Sequence, residues 1–143
     1  MQRIRTEILP GVWLTALRTE KFKTAWLSVN LLTQLRRETA ACTAVLPYVL
    51  RRGCTRLPDL EAIAAELDGL YGAHITPVVH KLGEIQAVGF EADFADDGAL
   101  GEEIFPRLAA DVADLLLHPN TRGGLLRPDI VDSEPVSYTH LRA

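Results

Sequence analysis

Residues 75–94, ITPVVHKLGEIQAVGFEADF, decide the fold class of this chain. Two β-prone runs, 75–82 and 84–94, flank Gly83, which suits a tight turn between antiparallel strands. In the second run the apolar side chains recur at every second position, as expected for a strand with one buried face. We therefore predict a hairpin whose core face carries Val88, Phe90, Ala92 and Phe94.

The region before this hairpin predicts two further strands. Residues 11–17 (GVWLTAL) and 25–32 (AWLSVNLL) alternate in side-chain character, and the polar segment 19–23 between them is turn-like. Such alternation is typical of a half-buried antiparallel sheet.

Apolar side chains at helical spacing predict three helices. The first covers residues 38–53 and contains Pro47, which removes one backbone hydrogen bond and favours a kink. The second covers 58–72, with Pro and Asp in its first turn, and residues 127–134 begin a further helix. The third and clearest covers 100–117. Its inward side chains are Ile104, Leu108, Val112 and Leu115 to Leu117.

The order β-β-α-α-β-β-α predicts an α+β domain, an antiparallel sheet with helices packed on one face. The 143 residues suffice for one domain, and the net charge of −4 offers no basic field for nucleic acid. No signal peptide is recognisable, and no uncharged run approaches the roughly 20 residues that cross a bilayer. With only two cysteines and no disulfide framework, we expect a cytoplasmic protein without a membrane or nucleic-acid partner.

The last eight residues, 136–143 (VSYTHLRA), interrupt the helical pattern that precedes them. They resemble the translation of a transposase adapter used in shotgun sequencing libraries. The alternative is an ordinary frayed terminus. We therefore expect residues 1–135 to form an incomplete N-terminal domain and residues 136–143 to be non-native.

The run AVLPYVLRRG, residues 44–53, resembles the zinc-motif helix of the insulinase-like (pitrilysin-type) metallopeptidases. In that family the helix after the first hairpin carries His-x-x-Glu-His. Its histidines and a downstream glutamate bind zinc, and its own glutamate activates water. Residues 46–53, 67–73 and 89–94 are more similar to a catalytically degenerate subgroup, which is associated with modification of elongation factor P by a 5-aminopentanol group.

The resemblance places the three motif positions on Ala44, Pro47 and Tyr48. Alanine has no donor atom, proline has no carboxylate for general-base chemistry, and tyrosine is a poor zinc ligand. The distal glutamate would lie near or beyond Glu134. We therefore predict no catalytic residue, no metal site and no cofactor, and we do not expect an enzyme.

The resemblance also implies partners, because family members enclose a substrate chamber between two homologous halves. We expect a non-catalytic subunit that forms a heterodimer with a zinc-competent insulinase-like protein. Its substrate would be a peptide or protein, in peptide processing or elongation factor P modification. One alternative is an enzyme with a repurposed site at Cys54, where Arg51, Arg52 and Arg56 would favour the reactive thiolate. Another is a truncated fragment without a function.

The remaining candidate residues have ordinary structural explanations. Cys42 lies among apolar residues, and we expect it to be a small core side chain. His74 and His80 are six residues apart on one strand, hence about 20 Å apart and unable to share an ion. His118 lies at a helix end, where a cation meets the negative end of the helix dipole.

Overall fold

A computed structural model describes residues 1–134. The expected adapter-like segment, residues 136–143, lies outside the described residues. The strands and helices are β1 (Gln2–Leu9), β2 (Val12–Arg18), β3 (Thr24–Gln34), α1 (Ala40–Leu50), α2 (Leu60–Gly69), β4 (His74–Leu82), β5 (Ile85–Ala95), α3 (Asp97–Leu100), α4 (Ile104–Leu117), β6 (Thr121–Arg122) and β7 (Leu125–Leu126).

The main sheet is antiparallel and has the order β3-β5-β4. The predicted hairpin is confirmed: β4 pairs with β5, and Gly83 adopts a left-handed conformation (φ 62°) between them. The α+β class, with helices packed against antiparallel strands, is also confirmed. The predicted core face of β5 is buried, including Val88, Phe90, Ala92 and Phe94.

The core fills the space between this face of the sheet and the helices. Residues of α4 and of the α2 region pack against β5 in a single cluster, which removes a large apolar area from water. Of the predicted inward side chains of α4, Ile104, Leu108, Val112 and Leu115 are buried, and Leu116 is partly buried against the core. The prediction is wrong for Leu117, which lies past the apolar stripe and is 71% exposed.

The N-terminal strands pair differently from the sequence prediction. The structure adds β1, which pairs with β2 in a separate two-stranded sheet, whereas β3 pairs with β5. The β1–β2 hairpin is exposed along its whole length, and Arg5 lies 5.0 Å above the ring of Trp13. Local alternation predicts that a segment is extended, but it carries no information about which distant strand will be its partner.

One local prediction needs adjustment. The helix expected from residue 100 is divided by Gly101, which is left-handed (φ 75°), so that α3 ends there and α4 begins at Ile104. The segment after α4 contains β6 and leads through two glycines into β7. Residues 128–134 are helical, as predicted.

Candidate functional site

The three positions that the resemblance assigns to a zinc motif lie on α1, which packs on β4 and β5. Gln86 of β5 donates from Nε2 to the carbonyl oxygen of Ala40 (2.9 Å) and so fixes the start of the helix on the sheet. The helix continues through Pro47, whose carbonyl oxygen accepts a hydrogen bond from the Arg51 N–H (3.0 Å). The side that faces the sheet is apolar and closely packed.

The three motif positions do not fit a zinc ion. Ala44 is 1% exposed and presents only a methyl group, and Pro47 is fully buried. Tyr48 is half-buried and is the only one of the three with a side-chain oxygen. A catalytic zinc needs three protein ligands and an open position for water. The α1 helix supplies neither the ligand set nor a polar cleft at these positions.

An ion pair lies just beyond the end of α1. Glu134 is 3% exposed, and its Oε1 accepts a hydrogen bond from Nε of Arg52 at 2.5 Å. A buried carboxylate requires a compensating charge. Here the guanidinium that follows the motif helix compensates Glu134, the residue near which the resemblance places a distal metal ligand.

The turn after α1 is fastened to the region that follows α4. The N–H of Thr55 donates to the carbonyl oxygen of His118 (2.9 Å), and Asn120 donates from Nδ2 to the carbonyl oxygen of Pro58 (2.7 Å). Gly53 has φ 152°, and a Cβ atom there would lie 2.5 Å from the Pro58 oxygen. Only glycine therefore allows this close approach.

Cys54 lies inside this turn and has no exposed surface. Its Sγ accepts a hydrogen bond from the Leu57 N–H (3.3 Å), and its own N–H donates to the Leu57 carbonyl oxygen (2.7 Å). A thiol without solvent access cannot attack a substrate. The hypothesis that Cys54 is a nucleophile is therefore contradicted, because the turn folds the residue into the core.

Arg56 points from the same turn to two carboxylates on α4. It donates from Nη2 to Asp111 and from Nε to Asp114 (2.8 Å), and His118 lies 3.2 Å from Asp114. Burial raises the pKa of Asp111, and the hydrogen bond from Arg56 opposes this effect. The pKa of Asp114 is lowered, mainly by its hydrogen bond with Arg56. This network ties the turn to α4.

The histidines pair with acids on the sheet or on α4. His74 Nδ1 lies 3.5 Å from an Asp93 carboxylate oxygen, and His80 Nε2 lies 3.6 Å from one of Glu91. Within residues 1–134, no group of three or more His, Cys, Asp and Glu side chains could hold a metal ion. Over the same range, no helix is long and apolar enough to cross a membrane.

Cys42 is exposed, contrary to the prediction of a core side chain. The buried side of α1 carries Ala44, Pro47, Val49 and Leu50, and Cys42 lies away from it. Sequence reasoning also missed the long-range ion pairs of Arg52 and Arg56. Their partners are 82 residues apart for Arg52 and Glu134, and 55 residues apart for Arg56 and Asp111. No local pattern marks such pairs.

No protein-family model matches the chain. It is 27% identical over 126 residues to the Bacillus subtilis (strain 168) protein named "Probable inactive metalloprotease YmfF", covering 87% of this chain and 30% of that protein. A solved structure titled "Crystal structure of a conserved protein from Enterococcus faecalis V583" matches with a TM-score of 0.89 at 21% identity. The match covers 97% of this chain and 33% of the solved one, and it shows the shared fold. The chain thus spans about a third of the length of these two proteins.

Proposed function

We propose that this chain is a non-catalytic, insulinase-like subunit that pairs with a zinc-competent relative. The observation that carries the proposal is the chemistry of the motif helix: Ala44 and Pro47 are buried and have no side-chain donor. The similarity to a protein named as an inactive metalloprotease supports the same interpretation. A peptidase of this class requires metal ligands and a general base, and the three motif positions on α1 supply neither.

The stability of this fold does not depend on a catalytic zinc ion. A catalytic zinc occupies an open cleft, whereas structural zinc sites contribute directly to folding. In this chain the space beside α1 is filled by apolar packing on β4 and β5. The pair formed by Arg52 and Glu134, together with the Arg56 network, holds the end of α1 in place. The domain can thus form part of the surface that encloses a peptide in a larger assembly.

The process we propose is peptide processing or the modification of elongation factor P by a 5-aminopentanol group. Support comes from the similarity of residues 46–53, 67–73 and 89–94 to the degenerate subgroup associated with that modification. In such an assembly the partner would supply the zinc, and this chain would help to hold a peptide or protein substrate.

The experiment is co-expression with a zinc-competent insulinase-like protein, with an affinity tag on one chain only. We expect a stoichiometric complex whose peptide hydrolysis exceeds that of the partner alone. Substituting the motif histidines of the partner should abolish turnover, while Tyr48→Phe in this chain should leave it unchanged. Failure of the two chains to co-purify, or hydrolysis that the partner's substitutions do not affect, would refute the proposal.

A further inference from the structure

The hairpin formed by β1 and β2 has one apolar face and one charged face. The strand pairing places Ile4 and Leu14 on the same face, and it places the charged side chains of β1, Arg3, Arg5 and Glu7, on the other. The apolar face is not covered within residues 1–134, since Ile4 is 55% exposed and Leu14 is 48% exposed. A two-stranded hairpin is at best marginally stable in water by itself, so this face requires a further packing partner.

The main sheet is incompletely covered on the side of β3. Phe90 of β5, in the middle of the core face, is fully buried. On β3 the neighbouring core-facing side chains of Leu27 and Val29 are only half-buried, and Leu31, which lies opposite Val88, is 49% exposed. The order β3-β5-β4 leaves the outer edge of β3 without a partner strand in the described part of the chain. The apolar layer of the core therefore ends open at this edge.

The hairpin and the rest of the chain carry opposite charges. Residues 1–23 contain five basic and two acidic side chains, whereas residues 24–134 contain nine basic and seventeen acidic ones. Opposite net charges attract the hairpin to the body of a chain, and like charges oppose the association of two hairpins with each other.

We infer that the hairpin of one copy of this chain adds to the outer edge of β3 in a second copy, and that the exchange is reciprocal. The unpaired edge offers backbone donors and acceptors to the incoming strand. The apolar face that carries Ile4 and Leu14 then extends the core layer beyond Leu31. Both exposed apolar surfaces are covered in a single contact, which removes them from water.

A second copy is the occupant that the chain itself supplies. Only residues 19–23 connect β2 to β3, and the hairpin forms a separate sheet instead of pairing with its own β3. An element that is attached by a short exposed segment can be exchanged between identical chains, and two-fold symmetry repeats the contact and closes the assembly. The exchange goes beyond the proposed function and is independent of it, because none of the residues involved belongs to α1.

Sedimentation velocity of the full chain over a concentration series tests the exchange. We expect the mass to rise from that of one chain toward that of two between about 1 and 200 µM. Leu14→Glu places a charge on the apolar face of the hairpin and should weaken dimerisation at least tenfold. Leu17→Glu makes the same change on the other face of the same strand, at a side chain that is also exposed, and should have less than a twofold effect.

A second matched pair tests the receiving edge. Leu31→Glu, on the core-facing side of β3, should weaken dimerisation at least tenfold, whereas Leu32→Glu, on the other side of the same strand, should have less than a twofold effect. Circular dichroism shows whether each variant folds. If Leu31→Glu does not fold, the Leu14 and Leu17 variants still decide, since both positions lie outside the core. The inference is overturned if the wild type remains monomeric throughout the series, if open-ended polymers form instead of dimers, or if both variants of a folded pair weaken association equally.

Discussion

Replacing Ala44 by histidine introduces one ligand type of the zinc motif of insulinase-like metallopeptidases and tests whether there is room for a metal beside α1. Ala44 is 1% exposed, and α1 packs on β4 and β5. An imidazole at this position must displace well-packed neighbours, which costs about 1–3 kcal/mol. It must also bury ring nitrogens without a partner, at a further cost of about 1–3 kcal/mol. We therefore expect Ala44→His to reduce the free energy of unfolding by about 3 kcal/mol.

The matched control is Ala41→His on the same helix. Ala41 is exposed, so its replacement should cost only the difference in helix propensity, at most about 0.7 kcal/mol. Urea unfolding followed by far-ultraviolet circular dichroism measures both values. For a chain of this size, the expected loss corresponds to a decrease of about 10 °C in the melting temperature.

A clear outcome would refute the reasoning. If Ala44→His and Ala41→His had the same stability, position 44 would face an open space rather than packed side chains. If added zinc then raised the melting temperature of Ala44→His selectively, that space would be a metal cleft, and the structural basis of the non-catalytic role would be lost.

Three further results are expected. Cys42 should react with a thiol reagent in the native protein, whereas Cys54 should react only after unfolding. Rapid reaction of a native Cys42→Ser variant would contradict the burial of Cys54. Gly89→Ala should lower the free energy of unfolding in urea by about 3 kcal/mol, because the new Cβ would lie 1.9 Å from a carbonyl oxygen of β3. The control Gly69→Ala meets open space on α2 and should be neutral or stabilising. Equal unfolding midpoints for the two variants would contradict the pairing of β3 with β5. Burial raises the pKa of Asp111, so its contribution to stability is present at acidic pH and is lost as pH rises through the folded-state pKa. Wild type should therefore lose stability relative to Asp111→Asn as pH rises above the ordinary pKa range of an aspartate, and the opposite slope would contradict this sign.

The parts of the fold that the sequence predicted are those that depend on local periodicity. The alternation in residues 84–94 identified the buried face of β5, and the 3.6-residue spacing after Ile104 identified α4. The helix α2 was predicted with bounds that were too wide, because Asp59, expected in the first turn, instead caps the helix by accepting a hydrogen bond from the Ala62 N–H (2.8 Å).

The errors concern local backbone geometry, such as the left-handed Gly101, as well as contacts between distant segments. The charged segment 2–9 became a strand because β2 pairs with it, and β3 found its partner about sixty residues away in β5. Cys42 was expected in the core and is exposed, whereas Cys54 was considered as a reactive thiol and is buried. Cys42 faces away from the packed side of α1, while the turn after α1 folds Cys54 under the segment that follows α4.

For the candidate site, the sequence predicted only which zinc ligands are missing. The residues at positions 44, 47 and 48 exclude a zinc motif by their chemistry, which can be read without a structure. That Ala44 and Pro47 are packed against a sheet, and that Arg52 compensates Glu134, required the three-dimensional arrangement.

The zinc content of the isolated chain tests the central claim most directly. The chain would be expressed with zinc supplementation, purified without chelator, and analysed for metal by mass spectrometry beside a zinc-competent insulinase-like protein treated identically. The absence of donors at Ala44 and Pro47 predicts far less than one zinc per chain, against about one for the reference protein. One tightly held zinc per chain, lost together with peptide hydrolysis on chelation, would contradict the account.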